Sequence, residues 1–361
     1  MYIHILKRTA GRTVRRPQKV EPMITNAIEI RQWNIERIRN AVQHHETCTK
    51  ADIARETGLS MATCSTALKE MQENGEIVKV DQIGIGIGRP SDLFAYNRDF
   101  LHVLCIAIYE DDHMINIELS VADALGTPIH SKHFIRHDLH VNDIETLVKQ
   151  HIDDDALIKS VGIGIPGVVV DDVIEFCDIK PLEKVNFAQL FSQQYHVDVT
   201  VKNDMNIVTY YLYHKDSNCP GDFAVMYYPD YKATGYVGCG IVVDGRILRG
   251  NSMFSGELFH LASAYGISFD EQKNMLLERS SFQKLAALHL MSVICTVNPS
   301  NAVIMGNHVT QEDIDAIRQL CLEHISSRHL PALEFSNDIY THYSNGLIRQ
   351  TLDSHLFPFM V

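Results

Sequence analysis

The sequence predicts an α/β protein in which a small winged helix-turn-helix precedes a larger body of two lobes. Two capped helices and a hairpin lie near the N-terminus, and strands then alternate with helices in two successive blocks. With 361 residues, the chain is also too long for one ordinary core. We therefore predict a flexible basic arm at 1–26, a winged helix at 27–98 and a body at 99–361. Within the body we expect lobe one at about 99–210, lobe two at about 211–340 and a C-terminal helix at about 341–361.

The bulk composition predicts a cytoplasmic globular protein. Hydrophobic residues make up 45% of the chain and charged residues 21%. No apolar run approaches the roughly eighteen residues that a membrane span needs, so we expect no membrane partner. The eight cysteines are scattered without a C-x-x-C pair. They are typical of reduced core thiols, and we expect no bound metal.

The net charge of −13 is distributed unevenly along the chain. Residues 1–98 carry 15 Lys and Arg against 11 Asp and Glu, a net charge of +4, whereas the remaining residues carry 17 against 34, a net charge of −17. An acidic body repels a polyanion, and a basic segment attracts one. Any contact with nucleic acid is therefore expected in the first hundred residues.

Capping residues and helical spacing predict the helix-turn-helix. The segment from Trp33, WNIERIRNAV, has apolar residues at helical spacing and predicts a first helix. Thr49 can cap a second helix, with Asp52 in its first turn, and Gly58 supplies the left-handed residue that ends it. Ser60 can then cap a third helix. After it, EIVKV and SDLFAYN predict a hairpin, the wing of a winged helix.

The third helix is the predicted recognition helix for a double-stranded DNA operator. In a helix-turn-helix the second of the two adjoining helices enters the major groove by its N-terminal residues. Small and hydroxylated side chains allow a close approach and bond to phosphates and base edges. The predicted DNA-contacting residues, including one at the tip of the wing, are Thr49, Ser60, Met61, Ala62, Thr63, Ser65, Thr66, Lys69 and Arg89.

A glycine-rich stretch in the body allows two interpretations. Residues 233–240 read ATGYVGCG and lead into an apolar strand. Glycines at this spacing let backbone N–H groups approach a phosphate, as in nucleotide-binding loops. A lone glycine-rich turn between strands is more often a tight hairpin. The residues alone leave both possibilities open.

Five segments in order resemble the ROK family (repressor, open reading frame, kinase), and specifically its NagC/XylR-type transcriptional repressors. They are ADIARETGLSMATCSTALKEM, GRPSDLFAYN, GIGIPGVV, VKNDMN and TGYVGCGIVVDGRILRGNSMFSGELFH. The resemblance runs from about Trp33 to the C-terminus. It implies a two-lobed, actin-like ATPase (sugar-kinase-like) body behind the winged helix.

The resemblance also implies a sugar site in the cleft. In the family, an Asn-Asp pair at a strand end contacts the sugar hydroxyls, and the Asp is the catalytic base of the kinases; the pair corresponds to Asn203 and Asp204. The family motif G-E-x-G-H supplies a further Glu and His, which correspond to Glu257 and His260, with Phe259 in place of the usual glycine.

Three departures from the family pattern argue against kinase activity. The stretch IAIYEDDHM stands where the kinases have a D-x-G-G-T phosphate segment, and it holds carboxylates instead of glycines. Asn307 follows a late strand where the kinases have consecutive glycines. The zinc-binding cysteines that should follow His260 are absent from the sequence. We therefore expect no catalytic residue, no cofactor and no metal.

Three hypotheses follow. The favoured one is a homodimeric or homotetrameric transcriptional regulator, a repressor in preference to an activator, with a sugar or sugar derivative as effector. The second is a sugar kinase that carries a DNA-binding domain. The third is a ligand-independent DNA-binding protein whose body serves only to dimerise.

Overall fold

The computed structural model describes residues 27–83, 91–215, 221–229 and 237–358. The predicted arm at 1–26, Arg89 at the tip of the wing, and the first half of the glycine-rich stretch, 233–236, lie outside these residues. In the described part of the chain no helix is both long and apolar enough to cross a membrane.

The N-terminal module is a winged helix-turn-helix, as the sequence predicts. Thr49 and Asp52 form a reciprocal capping box at the second helix, Gly58 ends that helix with a φ of 68°, and Ser60 accepts a hydrogen bond from the backbone N–H of Thr63. A small antiparallel sheet of order β1-β3-β2 completes the module. Its elements are α1 Ala27–Gln43, β1 Cys48–Thr49, α2 Lys50–Thr57, α3 Met61–Glu73, β2 Ile77–Ile83 and β3 Ser91–Tyr96.

Lobe one is built on a five-stranded sheet of order β10-β7-β4-β5-β6. The strands β4, β5 and β6 form an antiparallel meander. On the other side of β4, β7 pairs with it in parallel, and β10 pairs in parallel with β7. Asp112 and His113 make the two-residue turn between β4 and β5, with φ angles of 47° and 61°. The elements are β4 His102–Asp111, β5 Met114–Ala122, β6 Pro128–Arg136, α4 Val141–Asp154, β7 Ile158–Ile165, β8 Gly167–Val170, β9 Val173–Cys177, α5 Phe187–Tyr195 and β10 Asp198–Asn203.

Lobe two is built on a second five-stranded sheet, of order β13-β12-β11-β14-β15. Its central strand β11 pairs with β12 antiparallel and with β14 parallel. Four helices lie between β13 and β15 in the chain. The elements are β11 Phe223–Tyr227, β12 Gly238–Val243, β13 Arg246–Ile247, α7 Leu258–Ala264, α8 Phe269–Leu277, α9 Arg279–Thr296, β14 Asn301–Met305, α10 Gln311–Leu322 and β15 Ala332–Ser336.

Two helices, α6 (Asp204–Lys215) and α11 (Ile339–Leu356), pack against each other and join the two lobes. The helix α11 returns from lobe two to lie on β4 and β7, whereas α6 packs on β11 and β12. The C-terminal helix predicted at about 341–361 corresponds to α11. One continuous apolar core therefore includes residues of both lobes and of the N-terminal module.

Glycines allow this helix pair to approach both sheets closely. A Cβ atom on Gly240 in β12 would lie 1.9 Å from Oγ1 of Thr209 and 2.8 Å from the carbonyl oxygen of Met205, both in α6. On the other side, a Cβ atom on Gly162 in β7 would lie 1.9 Å from Oγ1 of Thr351 in α11. The described glycines of the stretch 233–240 are thus packing residues inside a strand.

The N-terminal module contacts the body at the end of α11. Arg39 in α1 forms an ion pair with Glu76, which is only 3% exposed, and donates a hydrogen bond to the carbonyl oxygen of Leu356. Its guanidinium carbon lies 5.7 Å from the ring centroid of Phe357. Arg39, which is largely buried, therefore links the helix-turn-helix to the last turn of α11.

We expect Gly240→Ala to destabilise the protein by about 1–3 kcal/mol, because the added methyl overpacks the contact between β12 and α6. Urea denaturation measures the change in the free energy of unfolding. Thr209→Ala is the matched variant, because it removes a buried hydroxyl that has no hydrogen-bond partner among the described residues. It should restore part of the loss when combined with Gly240→Ala. Unchanged stability of Gly240→Ala would contradict the packing role.

Candidate functional site

The recognition helix α3 presents its first turns to solvent. Cys64, Ala67, Leu68 and Met71 are between 0 and 5% exposed and hold the helix against the module. Met61 is 51% exposed, and Ala62, Thr66 and Lys69 are also exposed. The first turn has no acidic residue. The N-terminus of α3, which is the positive end of the helix dipole, is therefore accessible to a phosphate or a base edge.

Several predicted DNA-contacting residues also have structural roles. The hydroxyl of Thr49 belongs to the capping box of α2, and the hydroxyls of Ser60 and Thr63 lie 2.9 Å apart at the start of α3. Ser65 is half-buried and accepts a hydrogen bond of 2.8 Å from Lys50. A DNA-contacting role remains a prediction for all of these residues. Among the described residues, Thr66 and Lys69 bond only along the helix, and the side chains of Met61 and Ala62 make no hydrogen bond.

A large cavity lies between the lobes. Its volume is about 1030 Å³, at the upper end of the range for small-molecule sites. It is lined by the end of β4, the β8–β9 hairpin, the junction of β10 and α6, the segment before α7, and the first turn of α11. All four residues of the predicted sugar site line this cavity: Asn203, Asp204, Glu257 and His260.

Asn203 fixes the junction of β10 and α6. Its Nδ2 donates to the carbonyl oxygen of Gly167 at 3.0 Å and to Oδ1 of Asp204 at 2.9 Å. Its Oδ1 accepts from the backbone N–H of Asn206 at 2.9 Å, as a helix cap does. The same Oδ1 of Asp204 also accepts from the backbone N–H of Met205. Asn203 thus orients Asp204, whose second carboxylate oxygen takes part in no such bond among the described residues.

Asp204 lies in a group of carboxylates in which each pKa is raised by burial and by a neighbouring carboxylate. Burial, reinforced by Asp178 and Glu257 and opposed by the N–H of Met205, raises the pKa of Asp204 to about 7. Burial and the charge of Glu110 raise the pKa of Asp178 to about 6. Burial and Asp178 also raise the pKa of Glu257. At neutral pH the carboxyl group of Asp204 can therefore both accept and donate hydrogen bonds.

A glycine brings Glu257 to the cleft. Gly256 has a φ of 98°, and a Cβ atom on it would lie 2.1 Å from the carbonyl oxygen of Cys239 in β12. Only glycine allows this turn to approach the strand so closely. Glu257 stands at the start of α7 without capping it, so its carboxylate remains directed to the cavity lining.

His260 is exposed and lies among aromatic rings. Its ring centroid is 4.0 Å from that of Phe259 and 5.1 Å from that of Phe254, and all three residues line the cavity. His260 is therefore not a buried core histidine. In the described residues no group of three or more His, Cys, Asp or Glu side chains is arranged to hold a metal ion.

Sequence reasoning missed several cavity residues. Asp178 follows β9, and no pattern in the sequence marked it as a partner of Asp204. Tyr340 and Tyr343 come from α11, and Tyr343 donates to the carbonyl oxygen of Ile108 at the edge of the cavity. The sequence predicted only a C-terminal helix here, because the position of α11 across the cleft depends on the tertiary fold.

Two family models match the chain. Residues 116–275 match the ROK family, and residues 35–78 match a winged helix-turn-helix DNA-binding domain. The chain carries a ROK domain behind a winged helix-turn-helix. A comparison with curated protein sequences gives no match.

Similar solved structures include a ROK family transcriptional regulator described as a homologue of the Escherichia coli MLC protein. It is 17% identical, covers 92% of this chain and 99% of its own, and has a TM-score of 0.67. A putative N-acetylmannosamine kinase from Listeria monocytogenes is 15% identical, and the match covers 71% of this chain and 100% of the kinase, with a TM-score of 0.56. A ROK family protein from Streptococcus pneumoniae in complex with sucrose is 12% identical, and the match covers 71% of this chain and 99% of that protein, with a TM-score of 0.54. These likenesses confirm the predicted fold.

We expect Asp204→Asn to stabilise the protein increasingly as the pH rises. The pKa of the Asp204 carboxyl group is higher in the folded protein than in the unfolded chain, so ionisation of this group destabilises the fold. The destabilisation grows between about pH 4 and pH 7 and reaches its full size above that range. Thermal unfolding should thus give a larger gain in Tm for the variant at pH 8 than at pH 5. Asp138→Asn, at an exposed carboxylate outside the cavity, is the control for lost charge. A gain independent of pH would argue against the burial of Asp204.

Proposed function

We propose that this protein is a DNA-binding transcriptional regulator, a repressor in preference to an activator, whose effector is a sugar or sugar derivative held in the interlobe cleft. The observation that carries the proposal is the path of α11, which begins at the cleft and ends against Arg39 of the DNA-binding domain. A helix of 18 residues is about 27 Å long. A rearrangement of the lobes can therefore act directly on the DNA-binding domain.

The chemistry of the cleft supports a sugar as effector. Asn203 orients Asp204, whose carboxyl group, with a pKa of about 7, can bond to neighbouring hydroxyls in either direction, and Glu257 lines the same part of the cleft. The rings of Phe259 and His260 offer a flat face of the kind that packs against a sugar ring. One similar ROK structure holds sucrose.

Kinase activity is the second candidate, because a carboxylate with a pKa near 7 is suited to act as a general base. The opposing observation is the tight hairpin between β4 and β5, where Glu110, Asp111 and Asp112 replace a phosphate-binding turn. These carboxylates would repel the triphosphate of ATP. Calorimetry with ATP and Mg²⁺ separates the two functions, since a regulator without kinase activity should show no binding.

The proposed regulator acts in the cytoplasm as a homodimer or homotetramer on a palindromic operator. One winged helix of modest positive charge binds weakly alone, and two joined domains gain effective concentration on two half-sites. If the body served only to dimerise, no sugar would raise the melting temperature in a thermal-shift screen. That outcome would favour ligand-independent DNA binding.

We expect Ala62→Glu to weaken DNA binding by at least about tenfold, because it places a carboxylate at the exposed start of α3, where a phosphate or a base edge would lie. Fluorescence anisotropy at low salt, with fragments of the protein's own promoter region, measures the affinity. Gln72→Glu adds the same charge at the exposed end of the same helix and should have a much smaller effect. Failure of the unmodified protein to bind any such fragment would contradict the proposed function.

A further inference from the structure

Two cations line the same cleft as the carboxylates of Asp204 and Glu257. Lys202 is the residue before Asn203 in β10, and Arg249 follows β13 in lobe two; both line the cavity. Lys202 is half-buried, and Arg249 is exposed. Among the described residues, neither side chain takes part in a hydrogen bond or an ion pair. A half-buried lysine in this state is costly, because burial is not compensated by a bonded anion.

The electrostatics of the pair are consistent with this arrangement. Burial, and then the charge of Arg249, lower the pKa of Lys202, and Asp172 at the tip of the β8–β9 hairpin only partly offsets this. By contrast, Asp178 and Glu257 are the charges that raise the pKa of Asp204, and Glu110 raises the pKa of Asp178 while Lys180 and Lys273 lower it. The cleft therefore has an acidic part around Asp204 and a basic part around Lys202.

We propose that Lys202 and Arg249 form an anion-binding subsite, and that the effector is a sugar bearing a negatively charged group, either a phosphate ester or a carboxylate. This proposal rests on the proposed function, because it names the class of sugar that the same cleft binds. The hydroxyls of the ligand lie toward Asn203, Asp204 and Glu257, and its anionic group lies between the two cations.

The two side chains suit the task in different ways. The guanidinium of Arg249 can bond to two oxygens of a carboxylate or phosphate at once, and the ammonium of Lys202 acts as a compact charge. A bound anion also removes the repulsion between the two cations. A neutral sugar leaves that repulsion in place, so the subsite discriminates against neutral ligands.

The first experiment uses inorganic phosphate as the probe. Thermal unfolding of the full-length protein is followed at increasing phosphate, with ionic strength held constant by chloride. We expect Tm to rise for the unmodified protein and to stay level for Lys202→Gln and for Arg249→Gln. Arg246→Gln, an exposed arginine near Arg249 that does not line the cavity, is the matched control and should respond like the unmodified protein.

Both test variants should fold. In the part of the chain that the structure describes, Lys202 and Arg249 have no bonded partner to lose. Replacing the half-buried ammonium also removes a desolvation cost, so Lys202→Gln should melt at or above the temperature of the unmodified protein. An equal response to phosphate in all four proteins would overturn the proposal.

The second experiment distinguishes the source of the anion. Calorimetry compares hexoses, N-acetylhexosamines and pentoses in three forms each: neutral, phosphorylated and oxidised to the uronic acid. We expect one anionic form to bind at least about tenfold more tightly than its neutral parent, and the ratio to fall toward one in Lys202→Gln. The form that binds identifies a phosphate ester or a carboxylate.

The outcomes separate this proposal from the proposed function. If a neutral sugar binds as tightly as its anionic forms and still alters DNA binding, the anion subsite is wrong and the regulator remains. If no sugar of any form binds although phosphate does, the sugar effector is wrong and the anion subsite remains. If neither phosphate nor any sugar binds, both are wrong.

Discussion

The close packing of α6 against α11, with a sheet on either side, is the interaction on which the rest of the structure depends. The sheet of lobe two packs on α6, and the sheet of lobe one packs on α11. In each case a glycine in the sheet allows the close contact: Gly240 beneath α6 and Gly162 beneath α11. A third glycine, Gly346, brings the helices together, because a Cβ atom there would lie 2.7 Å from the carbonyl oxygen of Ile207. Side chains at these positions would separate the lobes and widen the cavity between them.

The same two helices position both functional regions. The first residue of α6 is Asp204, so the helix that joins the lobes also begins the acidic part of the cleft. The first turn of α11 lines the cavity, and its last turn contacts Arg39. The DNA-binding domain is therefore attached to the body by side-chain contacts as well as by the connecting chain. It is attached to the element whose position depends on both lobes.

The sequence predicted the N-terminal module well because its signals are local. Thr49, Gly58 and Ser60 act within one turn of their own position, and backbone geometry alone decides their role. The residues of the predicted sugar site came from resemblance, and all four line one cavity. Asp178 and the pair of Lys202 with Arg249 could not be predicted, since each depends on segments far apart in the chain. The glycines at 238 and 240 suggested a phosphate loop, but helix packing explains them, and sequence spacing cannot distinguish the two uses.

In the proposed function, the division of the cleft residues between the two lobes allows a ligand to change how the lobes are arranged. Lobe one supplies Lys202, Asn203, Asp204 and Asp178, whereas lobe two supplies Arg249, Glu257 and His260. Without a ligand, like charges oppose one another in both parts of the cleft. Under the proposed function, a ligand that bonds to both lobes relieves this repulsion and therefore favours the arrangement in which it contacts both lobes. Because a ligand shifts an equilibrium only by its difference in affinity for the two states, these paired charges set the size of the shift that α11 can transmit to Arg39.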